Sequence, residues 1–196
     1  MKLPFKVTRR RALLSAGLGL PVAALGDAVA LEPNWLCVRT VRLAKHEPVH
    51  RFVHFADVHH KGDRALLQSV VDRINSLRPD FACFTGDLVE ERSHLAESLQ
   101  MLREIRVPLY GVPGNHDYWA DVDFEAIGDA FRSTGGAWLM DEAVRTRDGK
   151  LTLTGLTCQS GHRPEPARGT RNLLLMHYPA WMKRFDGLRI IVINYG

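Results

Sequence analysis

The stretch YGVPGNHDYW, residues 110–119, places Gly111, Pro113 and Gly114 ahead of Asn115, His116 and Asp117, with Tyr118 and Trp119 behind. A solvent turn accepts Asn and Asp but has no use for an imidazole there, and it rarely carries two large aromatics. A ligand loop uses all of them. The apolar residues just before, 107–112, read as a short strand, so the polar group sits where a strand ends. Strand ends that carry polar loops at one edge of a parallel sheet are where ligand sites of α/β proteins form.

Two more strand ends of this kind precede it. RFVHFAD, residues 51–57, is an apolar run ending in a polar loop, and FACFTGD, residues 81–87, is another. Helices are predicted between them. Leu66, Leu67, Val70, Val71, Ile74 and Leu77 share one helical face, with Asp63 as the cap and Pro79 as the stop. Leu95, Leu99, Leu102 and Ile105 make a second stripe, and residues 121–133 read as a third helix. Asp87 follows Asp57 by 30 residues and Asn115 follows Asp87 by 28, the length of a strand–helix–strand unit. Asp57, Asp87 and Asn115 are therefore expected to converge.

Beyond Gly135 the pattern changes. Residues 143–157 form two alternating runs around Asp148-Gly149, a hairpin signal. NLLLMHYP, residues 172–179, is a further apolar strand ending in His177, and residues 187–194 are strand-like. Residues 36–44 alternate like an edge strand.

The net charge of +4 does not mark a nucleic-acid binder. Residues 1–30 hold Lys2, Lys6, Arg9, Arg10 and Arg11 against one acid, Asp27, and the remainder has 21 basic and 21 acidic residues. A neutral body lacks the basic patch that phosphate backbones need. The first 30 residues read as a targeting segment: a basic start, then residues 12–26 without a charge, then Ala28-Val29-Ala30 as a small-x-small cleavage site. That run falls short of the roughly 20 residues that span a bilayer. Its arginine pair resembles a twin-arginine leader. The expected division is a signal segment, 1–30, and one domain, 31–196. Cys37, Cys83 and Cys158 are widely spaced and fit neither a zinc pattern nor a disulfide framework, and Cys83 reads as a buried strand residue. No Walker-type loop occurs.

Four strand ends thus offer Asp57-Val58-His59, Gly86-Asp87, Gly114-Asn115-His116-Asp117 and His177. Carboxylate, imidazole and amide donors without sulfur suit Mn, Fe or Zn. Asp-x-His is expected about 0.6 times by chance in a chain of this composition, and Gly-Asn-His about 0.02 times. The first alone means little; the ordered set means much. Taken singly, Asp87 reads as a turn residue, His177 as a buried histidine, and Trp119 equally as core or as a wall of the site.

The ordered set resembles the calcineurin-like metallophosphoesterase superfamily, whose signature runs D-x-H, G-D, G-N-H-[DE], H and G-H-x-H. With its leader, the chain is similar to bacterial exported phosphodiesterases of the cell envelope. The resemblance implies an α/β fold, a four-layer α/β/β/α sandwich, with two divalent metal ions at its strand ends. It implies Asp57 and His59 as ligands of a first metal, Asp87 as the bridging carboxylate, Asn115 and His177 as ligands of a second, and His116 as the group serving the leaving oxygen. The implied reaction is attack on a phosphate ester by a hydroxide bridging the metals. Lipid-linked substrates, peripheral membrane contact, the twin-arginine export machinery as partner and a periplasmic location follow from the same likeness, and nucleic acid is not an expected partner. The G-H-x-H motif has no counterpart between His177 and the last strand; His162 precedes His177 and lacks a second histidine. The fold is therefore expected to be incomplete toward its C-terminus, with at most one metal tightly bound and little turnover. The alternative is a non-enzymatic relative that binds one metal or a phosphate group.

Overall fold

β1 (Phe52–Phe55), β2 (Phe81–Phe84), β3 (Leu109–Gly111) and β4 (Ala137–Trp138) form a parallel sheet in that order. This is a computed structural model, and it describes residues 36–161, 163, 165–185 and 191–193. Two compact units are distinguished, Met1–Val41 and Arg42–Gly196. In the first, the described residues 36–41 form neither helix nor strand. The expected leader, 1–30, lies outside the described residues, as does His162. All elements below belong to the second unit.

α1 (Arg64–Leu77), α2 (Leu95–Leu102) and α4 (Phe124–Ser133) cover one face of the first sheet. Asp63 caps α1 by accepting from Leu66 N at 3.2 Å, and Arg78 ends it in the left-handed region before Pro79. The helices turn Leu67, Val71, Ile74, Leu99, Leu102, Ile127 and Phe131 onto Ala82, Phe84 and Leu109. Burying a side chain of this size contributes about 1.5–3 kcal/mol. Alternation along β2 then decides the layers: Ala82 and Phe84 face the helices, while Phe81 and Cys83 face the second sheet.

That second sheet contains β5 (Ala143–Arg145), β6 (Leu151–Leu156), β7 (Arg171–Met176) and β8 (Ile191–Ile193). β5 and β6 form the predicted antiparallel hairpin, and the remaining pairs are parallel. Leu151, Leu153, Leu173 and Leu175 meet Phe81, Cys83, Tyr110 and Val112 in the space between sheets. On the outer face, Leu156, Leu174 and Met176 pack against Trp181 and Phe185 of a 3₁₀ segment, Pro179–Phe185. Among the described residues the layers are helices, sheet, sheet and this 3₁₀ segment.

Two expectations differ. Residues 36–44 form no strand. Val38, Val41 and Leu43 are exposed, and period-two alternation gives a strand only where one side is buried against neighbours. The third predicted helix is shorter, and it is preceded by a separate helical turn, α3 (Asn115–Trp119).

Candidate metal centre

The site lies at the C-terminal ends of β1, β2, β3 and β7. The loops after β1 and β2 run side by side: Asp57 N–H donates to Gly86 O at 2.9 Å, His59 N–H to Asp87 O at 3.0 Å and His60 N–H to Leu88 O at 2.9 Å. This ladder holds Asp57, His59 and Asp87 at φ of 54°, 43° and 63°. Side chains rarely adopt such left-handed values, and each costs about 1–3 kcal/mol unless the surroundings enforce it. Three strained residues in one cluster mark a place where geometry outweighs local preference.

The glycines of the two Gly-x motifs face each other. A Cβ on Gly86 would lie 2.9 Å from the Pro113 carbonyl carbon, and one on Gly114 would lie 2.6 Å from Asp87 N and overlap Asp87 Oδ1. Gly114 itself has an extended backbone, φ −94° and ψ −178°. Its lack of a side chain therefore makes room for Asp87.

The five residues expected to hold metal come together. His59 Nε2 lies 3.7 Å from Asp57 Oδ1 and 3.5 Å from Asp87 Oδ2. His177 Nε2 lies 3.5 Å from Asp87 Oδ2 and 2.9 Å from Asn115 Oδ1. Asp87 thus stands between the two histidines. Burial, the main cause, raises the Asp57 carboxyl above its usual range.

The donor set fits a cation on two observations. Asp57 Oδ2 is buried and has no hydrogen-bond partner, which is costly for a carboxylate oxygen unless something positive faces it. The histidines are also committed by their other nitrogens. His59 Nδ1 lies 2.9 Å from Glu90 Oε2, and His177 Nδ1 lies 2.8 Å from Thr85 O. Both partners accept only, so each Nδ1 donates and each Nε2 of the neutral ring turns a lone pair inward. The lone pair of His177 then meets Asn115 Oδ1, acceptor against acceptor. A cation between them, or a rotated amide, removes that conflict.

His116 stands beside this set. Its ring meets His59 edge to face at 4.5 Å between centroids, and its Nδ1 lies 3.3 Å from Glu90 Oε2. Trp119 packs on its other side at 4.7 Å and is 72% exposed, so it is rim and not core. Tyr118 packs on Phe124. Asp117 does not touch the His116 ring. It is fully buried, and its carboxylate accepts from Gly114 N at 2.8 Å, Asp87 N at 2.9 Å and Leu88 N at 2.9 Å. It therefore ties the Gly-Asp loop to the Gly-Asn-His turn.

Two acidic residues of this region escaped the sequence reading. Glu90 joins His59 to His116 and has its pKa lowered, chiefly by the hydrogen bond from His59. Glu97 accepts from His60 Nε2 at 2.8 Å and also pairs with Arg64. His60 is buried and is turned to α2, away from the cluster of Asp57 and Asp87. Beside Asp57, Asp87 and His177, two further groups have metal-compatible spacing, His59 with Glu90 and His116, and His60 with His94 and Glu97; in the last the Arg64 guanidinium already supplies positive charge. Position in sequence carried one signal for Glu90: it lies three residues after Asp87 in the same loop.

The family profile described as calcineurin-like phosphoesterase matches residues 50–193. A curated relative, UDP-2,3-diacylglucosamine pyrophosphatase LpxG of Chlamydia trachomatis serovar D, is 37% identical over 120 residues. That match covers 55% of this chain and 36% of the relative. Among solved structures, TT1561 of Thermus thermophilus overlays with a TM-score of 0.49 at 15% identity, covering 76% of this chain and 68% of that one. Phosphopantetheinyl hydrolase PptH of Mycobacterium tuberculosis overlays with a TM-score of 0.40 at 16% identity, covering 70% and 71%.

Proposed function

The chain belongs to the calcineurin-like phosphoesterase family, and on that premise we propose that its strand-end cluster hydrolyses phosphate esters with divalent cations held by Asp57, His59, Asp87, Asn115 and His177. The observation that carries this reading is the convergence of acceptor atoms on one point, with the buried Asp57 Oδ2 left without a partner. Oxygen and nitrogen donors without sulfur favour Mn, Fe or Zn. Such cations, when bound, supply Lewis acidity and a nucleophile drawn from water near neutral pH.

The chain's own residues divide the remaining work. Asp87 lies between His59 and His177, so its charge can serve two cation positions. Asn115 adds an oxygen without adding charge, which keeps the site receptive to phosphate. With His116 Nδ1 3.3 Å from Glu90 Oε2, Nε2 is left for the departing oxygen, to which it would give a proton from the doubly protonated ring. Trp119, exposed beside that ring, offers an apolar wall to the group that leaves.

Five donors for two positions amount to three per cation with Asp87 shared. Three protein ligands suffice for one catalytic metal, but two cations sharing Asp87 repel each other with few donors to offset it. We therefore assign at most one tightly held cation and little turnover to this chain. Purified chain with Mn²⁺ and an aryl phosphodiester should show metal-dependent hydrolysis that Asp87→Asn abolishes. Hydrolysis that is absent at saturating metal, or equal in Asp87→Asn, removes the enzymatic reading and leaves a metal- or phosphate-binding module.

The name of the LpxG relative supports a narrower substrate class, a pyrophosphate or phosphodiester attached to an acylated, apolar group. The leader-like segment, residues 1–30, supports action outside the cytoplasm. No helix among the described residues is long and apolar enough to cross a membrane. Twin-arginine export predicts that replacing Arg9, Arg10 and Arg11 by Lys leaves the protein in the cytoplasmic fraction; undiminished export would refute the leader assignment.

A further inference from the structure

We propose that a cleft at the start of β6 and β7 binds a phosphate monoester through Lys150, Thr170 and Arg171. It lies at the opposite end of the second sheet from the metal centre and does not depend on it. Arg171 opens β7 and His177 follows its last residue, so six residues at about 3.3 Å each set the two regions about 20 Å apart. The cleft encloses about 380 Å³ and is lined by Val49, His50, Lys150, Gly169, Thr170 and Arg171. That is room for a phosphate together with a small group esterified to it. Register brings the two cations together: β6 and β7 run parallel with Leu151 beside Arg171, and Arg171 N–H donates to Lys150 O at 3.1 Å. Among the described residues, neither the Lys150 ammonium nor the Arg171 guanidinium has a carboxylate partner. Asp148, close to Lys150 in sequence, is engaged elsewhere. Its Oδ1 accepts from Thr146 Oγ1 and Lys150 N, and its Oδ2 faces His50 Nε2. Two unpaired positive charges match the charge of a phosphate monoester near neutral pH.

Thr170 adds a neutral donor. Thr152 is buried, and its hydroxyl has Thr170 Oγ1 as partner at 2.8 Å. A buried O–H without an acceptor is costly, so Thr152 donates to Thr170, and the Thr170 O–H is left to the cleft. Asn172 braces the loop that carries it. Asn172 Oδ1 accepts from Ala167 N at 2.8 Å, and Nδ2 donates to Ala167 O at 3.1 Å and to Thr170 O at 3.3 Å. The loop is therefore set before a ligand arrives, which lowers the ordering cost of binding. Val49, 44% exposed, also lines the cleft and offers apolar surface to the group esterified to the phosphate.

The test uses the full ¹⁵N-labelled chain, stripped of metal by a chelator so that the strand-end cluster presents no cation to phosphate. Glycerol 3-phosphate is titrated at physiological salt, with glycerol as the neutral control. Amide resonances of Lys150, Gly169, Thr170 and Arg171 should shift with the phosphate and not with glycerol, while those of Asn115 and His177 stay in place. Both cations are exposed, so the double variant Lys150→Ala, Arg171→Ala should keep the rest of the spectrum and bind about tenfold or more weakly. A second arm sediments the chain with phosphatidylcholine vesicles that contain or lack phosphatidic acid. Sedimentation that needs phosphatidic acid and is lost in the double variant supports the proposal and assigns the phosphate to a lipid headgroup. Shifts with glycerol 3-phosphate and no such sedimentation support it and assign the phosphate to a soluble ester. The proposal is overturned by cleft resonances that do not move together with vesicle binding indifferent to phosphatidic acid, or by equal affinity in the double variant.

Discussion

Asp117 shows how much one buried carboxylate can organise. Burial pushes its carboxyl pKa up, and the N–H groups of Gly114, Leu88 and Asp87 pull against that shift. The three donors come from two loops that are far apart in sequence, so the carboxylate acts as a cross-link behind the proposed ligands. Asp117→Ala leaves three buried N–H groups without an acceptor, at about 1–3 kcal/mol each. For a domain of this size each kcal/mol lowers Tm by about 2–4 °C. Melting of Asp117→Ala should therefore fall by roughly 6 °C or more, and an unchanged Tm would show that the cross-link carries no stability. Asp117 also caps the Gly-Asn-His turn by accepting from Gly114 N. The convergence of Asp57, His59, Asp87, Asn115 and His177 was legible because they follow four apolar strands. Glu90 was not, because an acid in the run Glu90-Glu91-Arg92 looks like a solvated loop, and only the neighbouring chain reveals its partner.

At the scale of elements, periodicity and caps located α1, α2, β2 and the β5–β6 hairpin. They missed α3, since five residues are too few to display a helical stripe. They also placed a strand at residues 36–44, where no buried face exists. The hairpin turn offers a pH test. The carboxyl of Asp148 is held down to about 2 from an ordinary 3.8, first by the Thr146 hydroxyl and Lys150 N–H, then by His50. Its distances are 2.7 Å to Thr146 Oγ1, 3.2 Å to Lys150 N and 3.0 Å to His50 Nε2. A depressed carboxyl favours the fold while it is ionised, so its contribution is present above the unfolded value and is lost as pH falls through the folded one. Asp148→Asn should melt below wild type near neutral pH, and that difference should vanish as pH falls from about 4 to about 2. A difference independent of pH over this window would assign the turn's stability to another group.

For the whole molecule, the repeated strand–loop–helix order fixed the parallel first sheet and the edge at which its loops gather. The layer order follows from the alternation along β2 and β7, whose residues face opposite sides. Neither alternation nor composition could say which loops would lie against each other, because that depends on backbone bonds such as Asp57 N–H to Gly86 O. The central claim is that these loops together hold a divalent cation beside Asp87. Anomalous diffraction from crystals of the chain soaked in Zn²⁺ or Mn²⁺ tests it most directly. A peak is expected about 2.0–2.2 Å from Asp87 Oδ2, with His59 Nε2 or His177 Nε2 in the same coordination sphere. A peak only between His60, His94 and Glu97, or none near Asp87 at saturating metal, would contradict it.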